Sequence, residues 1–454
     1  MTAPDPLLRR SVVGPPEHPP LDAVSFLTVF LVLLFAVPAG QSVTALGSVG
    51  SPALLWATAG GLWWCWHQLQ RGSERNPGNP VRIAAFVYLA AVTVSYAGAM
   101  FRGLPSSEAS PADTGLVKVF AWIGLVLLVS DGIPNYERLL TLVRRACLAA
   151  GLLGLLGLLQ FATGLSLIDW LQIPGLSTNA DSALQVRSGF ARSSGTASHP
   201  LEYGFVLSTM MPVALTLALW DTGRPALRRW LPVLFIVLAA ALAVSRSTLL
   251  GLAMGMLVLI PTWSGRMRLI ALGAAGVLVA GVYLLVPGMV GTIRGLFGGE
   301  DSSTSSRIGS YDLVGQFVAR SPVIGRGPGT FLPEYRILDN QLLQSAIEIG
   351  VLGIVALLAL SGAAVVSGLV WRGEHRPELP RRIGHGLGAA SAVGAVLLAT
   401  FDVFAFPMAT GIFFLVIGMA GANYRLRGTA ADQTGASTPT ARARPIHQRD
   451  IGSA

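Results

Sequence analysis

The sequence predicts an all-α polytopic membrane protein of about twelve transmembrane helices, with two long extracytoplasmic loops, the larger containing short amphipathic helices. Three observations carry that expectation. Hydrophobic residues make up 52% of the chain and charged residues only 12%, about half the charged share of a soluble protein. Apolar runs long enough to span a bilayer recur along most of its length. Arginines collect in alternate loops between those runs, the pattern that orients membrane helices. The net charge of +9 is on this account a topology signal and not a nucleic-acid one.

The apolar runs fall at about 21–40, 46–68, 82–101, 115–131, 146–163, 202–220, 230–244, 247–262, 269–287, 341–370, 386–402 and 406–423. The seventh and eighth are separated only by Ser245-Arg246 and are read as two spans, because an arginine in mid-bilayer is costly. No inverted repeat relates the two halves, which argues against a repeat-built transporter. Cys65 and Cys147 both lie in apolar stretches and read as packing residues. The first twenty residues are Pro-rich and polar, so no cleavable signal peptide is expected. Residues 1–20 and 428–454, rich in Pro, Ser, Thr, Ala and Gly, read as disordered tails flanking one transmembrane domain over 21–427.

Orientation follows from the basic loops. Arg71, Arg75 and Arg82 share a side with Arg138, Arg144 and Arg145, with Arg224, Arg228 and Arg229, with Arg266 and Arg268, and with Arg372, Arg376, Arg381 and Arg382. Twelve spans put Arg9, Arg10, Arg425 and Arg427 there too. The positive-inside rule makes that side cytoplasmic, with both termini inside. The long loops, about 164–201 and 288–340, then lie outside, and loops of that length tend to be functional.

The outer face carries the chemistry-bearing residues. Glu300–Gly353 opens with the longest polar island in the chain. Within it Ile308, Tyr311, Val314 and Val318 recur at helical spacing, and Ser321-Pro322 ends that helix. Gly325-Arg326-Gly327-Pro328-Gly329-Thr330 is a turn whose backbone amides can approach a phosphate, although such turns are also ordinary connectors. Asp339-Asn340 opens the tenth span, where Asp339 suits a helix cap, and Glu348 lies about two turns in, facing a polar cavity. The other loop carries Arg187, Arg192, His199 and Glu202. Two arginines five apart can clamp a pyrophosphate or can be solvated loop residues. His199 is the best-matched general base on this face. Arg246 lies on the side the positive-inside rule disfavours, so a plain topology anchor explains it poorly. Lys118 and Asp402 are further outer-face charges with a structural reading. Arg187, Arg192, Arg246, Arg307 and Arg326 together suit an anionic, lipid-linked substrate. No metal-ligand spacing occurs on this face.

The Ser-Arg-Ser between two spans, the Asp-Ser-Ser…Ser-Arg start of the large loop, the Gly-Arg-Gly-Pro-Gly-Thr-Phe turn, and Asn-Gln-Leu-Leu-Gln…Glu-Ile-Gly-Val-Leu-Gly entering the next span resemble the O-antigen ligase/polymerase superfamily. The run Arg-Ser-Ser-Gly-Thr-Ala-Ser-His-Pro before the sixth span is similar to its relatives as well. The resemblance covers roughly 130–425. It implies a twelve-span, metal- and cofactor-independent inverting glycosyltransferase of the GT-C type in a bacterial inner membrane. Its donor would be an undecaprenyl-pyrophosphate-linked glycan, its acceptor a glycan hydroxyl on the outer face, and its further partners a flippase and chain-length-regulating proteins, with no nucleic acid. By motif the family's pyrophosphate-binding arginines fall on Arg246, with Arg192 a looser match. Family ligases commonly have His-Asn where the large loop meets the tenth span, and this chain has Asp339-Asn340.

The expected mechanism has Arg246, Arg192 and Arg307 holding the pyrophosphate and stabilising the charge that grows on it. Arg187, Arg326, Asn340 and Glu348 complete the substrate-binding set. The base is Asp339, His199 or Glu202, or positioning alone suffices. Absence of the ligase-type His and an Arg-rich, Lys-poor composition favour a polymerase of cell-surface polysaccharide. A ligase with a different acceptor, a lipid-linked glycan flippase and a non-catalytic scaffold are the rival readings.

Overall fold

The computed structural model describes residues 22–70, 78–178, 185–187, 190–243, 245–285, 313–370 and 378–435. Their helices are α1 (Ala23–Ala36), α2 (Pro52–Gln70), α3 (Pro80–Arg102), α4 (Ser106–Gly132), α5 (Tyr136–Thr163), α6 (Pro200–Trp220), α7 (Ala226–Ala241), α8 (Arg246–Leu259), α9 (Gly265–Leu285), α10 (Gln341–Glu348), α11 (Gly350–Leu369), α12 (Glu378–Leu397) and α13 (Pro407–Gly435). Six of them, α3, α4, α5, α6, α11 and α13, are long and apolar enough to cross a membrane. The fold is an all-α membrane protein.

Local chemistry sets the helix starts. Asp22, Asn79, Asn135 and Ser245 each cap a helix through a side-chain oxygen that accepts a backbone N–H. Pro80 and Pro200 stand at first helical positions, where the missing N–H costs nothing. The expected split at Ser245-Arg246 is present, with α7 ending at Ala241 and α8 starting at Arg246.

The tenth span is a correction. The sequence reads as one helix over 341–370, but the chain breaks between Glu348 and Gly350. Gly350 has φ +64°, and a Cβ there would lie 2.4 Å from the Val323 carbonyl oxygen, so only glycine fits. The segment 322–327 fills the break. Arg326 N–H donates to Ile347 O at 2.9 Å and Gly327 N–H to Glu348 O at 2.8 Å, while Val351 N–H donates to Pro322 O and Leu352 N–H to Val323 O. The wedge that fills this break comes from residues 322–327, so the run 341–370 by itself does not announce it.

Without a strong hydrophobic drive between helices in lipid, close backbone approach matters. A Cβ on Gly61 would sit 3.1 Å from the Gly124 Cα, joining α2 to α4. Gly368 and Gly388 bring α11 and α12 together in the same way. A continuous core of Phe30, Trp122, Phe404, Phe413 and Phe414 stacks between α1, α4 and α13. Two short antiparallel pairs complete the fold. β1 (Gln41–Ser42) pairs with β2 (Ser177–Thr178), tying the loop after α1 to the loop after α5, and β3 (Gln185–Arg187) pairs with β4 (Phe190–Arg192).

The two ends of the bundle use charge differently. At one end arginines fasten helix termini. Arg138 pairs with Asp22 at 2.5 Å and Arg144 with Asp221 at 2.6 Å. Arg425 reaches the Ser130 and Ile133 carbonyls, Arg427 those of Ser367 and Val370, Arg229 that of Ala218, and Arg382 that of Thr262. These are the exposed carbonyls of helix C-termini, where a cation is favoured. Glu108, Lys118, His199, Arg246, Asp339, Glu348 and Asp402 gather at the other end.

Candidate functional site

Three segments remote in sequence meet at that second end. The first is the run Arg192–His199 before α6. It is held down by Gln160 of α5, whose Oε1 accepts from Gly195 N–H at 2.7 Å and Ser194 N–H at 3.2 Å. Ser193 Oγ donates to Gly157 O at 2.6 Å. Arg192 is buried. His199 caps α6: its Nδ1 accepts from Leu201 N–H at 3.1 Å, and its ring lies 5.6 Å from Phe406. Burial, with Arg192 nearby, holds the imidazole below its usual range, while Asp339 acts in the opposite sense. Arg192 and Asp339 therefore each lie within electrostatic reach of His199.

The second segment is the start of α8. A Cβ on Gly204 would fall 1.9 Å from Thr248 Oγ1, so α6 and α8 begin side by side. Arg246 is the first residue of α8 and is partly buried.

The third is Phe331–Glu348. Asn340, not Asp339, is the cap of α10. Its Oδ1 accepts from Leu342 and Leu343 N–H at 2.9 and 3.1 Å, and its Nδ2 donates to Ala399 O at 3.1 Å. Asp339 is left exposed.

Other residues are engaged within the protein. Glu202 is fully buried and accepts from Ser198 N–H at 2.7 Å, Ser198 Oγ at 2.8 Å, Met408 N–H at 2.6 Å and Ala409 N–H at 3.3 Å. It thereby caps α13. Arg326 forks onto Glu108 at 2.9 and 3.1 Å and lies 4.9 Å from the centre of the Phe317 ring. Glu108, also bonded by Tyr335 OH at 2.7 Å, is 218 residues away, and no local pattern points to it.

The glycine turn does not hold its amides open for a ligand. Gly329 and Phe331 N–H donate to the Glu348 carboxylate, joined by Gln344. Asp402 lies within electrostatic reach of Glu348. Lys118 is in electrostatic reach of both carboxylates. Arg307 lies outside the described residues. Arg187 falls in β3, opposite Phe190, with its side chain outside the description. Of the expected helix in the large loop, 313–320 is helical and ends before Ser321-Pro322, while Ile308 and Tyr311 lie outside the described residues. Among the described residues, no group of three His, Cys, Asp or Glu is placed to hold a metal.

Fold and site define a multi-pass helical membrane protein with a charged, partly buried cluster at one end of its bundle. Residues 231–358 match the family model described as O-antigen ligase. That match includes Arg246, Arg326, Asp339 and Glu348 and supports a likeness to the O-antigen ligase/polymerase superfamily over that stretch. No curated protein matches the chain.

Proposed function

We propose that the protein polymerises polyprenyl-pyrophosphate-linked oligosaccharide units on the outer face of a bacterial inner membrane, with the basic end of the bundle toward the cytoplasm and about twelve spans between. The observation that carries this reading is the grouping of Arg192, His199 and Asp339 beside the Arg246-bearing start of α8. An anionic donor and a hydroxyl acceptor need that combination of cations and a proton acceptor at one place.

The hydrogen bond to His199 sharpens the roles. A neutral imidazole whose Nδ1 accepts from Leu201 N–H carries its proton on Nε2. His199 then offers the substrate a donor and not a base. Asp339, exposed and not occupied with capping, is the proton acceptor in this proposal. The acceptor hydroxyl oxygen attacks C1 of the donor sugar on the face opposite the pyrophosphate. Its proton passes to the Asp339 carboxylate. The C1–O bond breaks, and the electron pair leaves with the polyprenyl pyrophosphate, held by Arg246 and Arg192. Glu202, Arg326, Asn340 and Glu348 serve as framework. The reaction has no metal in it.

The test is purified protein in liposomes with a short lipid-pyrophosphate-linked glycan. Longer lipid-linked chains are expected. Transfer only to a different acceptor would make the protein a ligase, and transbilayer movement without new bonds would make it a flippase. Arg246→Ala should abolish transfer at normal expression, and wild-type product from that variant overturns the assignment.

A further inference from the structure

Ser198, next in sequence to His199, lines a pocket of about 260 Å³ whose other walls come from the loop after α1, from α4 and from the start of α13. Its polar wall includes Gln41, Ser42, Ser51, Lys118, Ser198 and Thr410, and its apolar wall includes Trp122 and Phe404. We propose that this pocket is a subsite for one neutral, hydroxylated sugar ring at the reacting end of the acceptor glycan. The inference rests on the transfer reaction proposed above and adds to it where the acceptor sits.

Gln41 carries the argument. It is buried, and its Nε2 donates to Leu171 O at 2.5 Å, which fixes the amide. Its Oε1 is buried and has no hydrogen-bond donor among the described residues. Buried acceptors are almost always satisfied, so one without a protein donor at a pocket wall marks a place for a ligand's hydroxyl. The backbone around it is over-determined: Gln41 pairs with Thr178, and Ala39 N–H donates to Thr196 O at 2.8 Å. The segment that carries Gln41 is thus tied directly to the segment that carries His199.

Charge and size select the ligand class. Lys118 faces the pocket, but Glu348 and Asp402 lie in electrostatic reach of it and offset its charge. A neutral hydroxylated ring meets this wall better than a carboxylate or phosphate does. The volume is just under the roughly 300–1,000 Å³ of sites that take drug-sized ligands, which suits one ring and not a chain. Hydroxyl and amide groups on one side with aromatic carbon on the other match the polar edge and apolar face of a pyranose.

The experiment uses the full chain in lipid nanodiscs and a panel of neutral methyl glycosides of common hexoses and deoxyhexoses, read by saturation-transfer NMR. At least one glycoside should bind. Gln41→Leu should weaken it roughly tenfold, the cost of one hydrogen bond. Because Gln41→Leu also removes the bond to Leu171, a second variant, Ser48→Phe, fills the pocket from its exposed rim and should abolish binding with unchanged thermal melting. The same variants should raise the KM for acceptor in liposomes more than they lower kcat. No glycoside signal above empty nanodiscs, or equal signals from wild type and Ser48→Phe, overturns the subsite. Wild-type transfer kinetics in both variants overturns it while leaving the transfer reaction standing. Glycoside binding that responds to both variants, with no transfer of any glycan by wild type, supports the subsite and refutes the enzymatic reading.

Discussion

Replacing Glu202 separates a structural carboxylate from a catalytic one. Glu202 takes four hydrogen bonds, two of them from Met408 and Ala409 at the start of α13 and two from Ser198. In Glu202→Ala the two α13 amides lose their partner in a site with no exposed surface. A buried donor left unmade costs about 1–3 kcal/mol, so two cost roughly 2–6 kcal/mol, at or beyond the upper end of ordinary cap losses. Glu202→Gln keeps the shape and one carbonyl oxygen for those amides. Its NH2 turns toward Ser198, where the hydroxyl can rotate to accept but the backbone N–H cannot. That variant should lose about 1–3 kcal/mol. Thermal unfolding in nanodiscs reads stability, and chain extension in liposomes reads activity. Glu202→Ala should melt far below wild type, and Glu202→Gln should melt slightly below it while keeping most of its transfer rate below the melt. A Glu202→Gln protein with wild-type melting and no transfer would refute the capping account and return Glu202 to the list of candidate bases.

Two other outcomes follow from the same geometry. Asn in place of His199 keeps an oxygen for Leu201 N–H and an N–H for the substrate, so His199→Asn should retain substantial transfer where His199→Ala and Asp339→Asn lose about a hundredfold or more; equal loss in His199→Asn and His199→Ala, by initial rates in liposomes, would make His199 the base. Arg326→Ala leaves the buried Glu108 carboxylate with Tyr335 OH but without its cation, a loss of up to about 3–5 kcal/mol, and Arg326→Ala/Glu108→Gln should recover part of it in thermal melts.

Much of the helical pattern was legible because lipid selects for it locally. Each apolar run is written in consecutive residues, and Ser245-Arg246 marks its own boundary. The break at Gly350 is not legible, since the wedge that fills it comes from residues 322–327, outside the run itself. The same limit governs the site. His199, Asp339 and Arg246 stand out as unusual residues for their positions, whereas Glu108, Gln41 and Gln160 matter only through partners 218, 130 and 35 residues away. In the sequence Asp339 suits a cap as well as its neighbour Asn340 does, and nothing local says which of the two turns inward.

The double anchoring around Asp339 limits how far that carboxylate can travel. Tyr335 is moored to Glu108 on one side and Asn340 to Ala399 on the other, and Leu338 between them is buried. Only a short tether, at most about 3.6 Å per residue even when taut, joins the two moorings. Asp339 cannot ride in on a closing flap. A substrate must be delivered to a carboxylate that stays nearly where it is, and the gating of the reaction belongs to whatever brings the two sugars there.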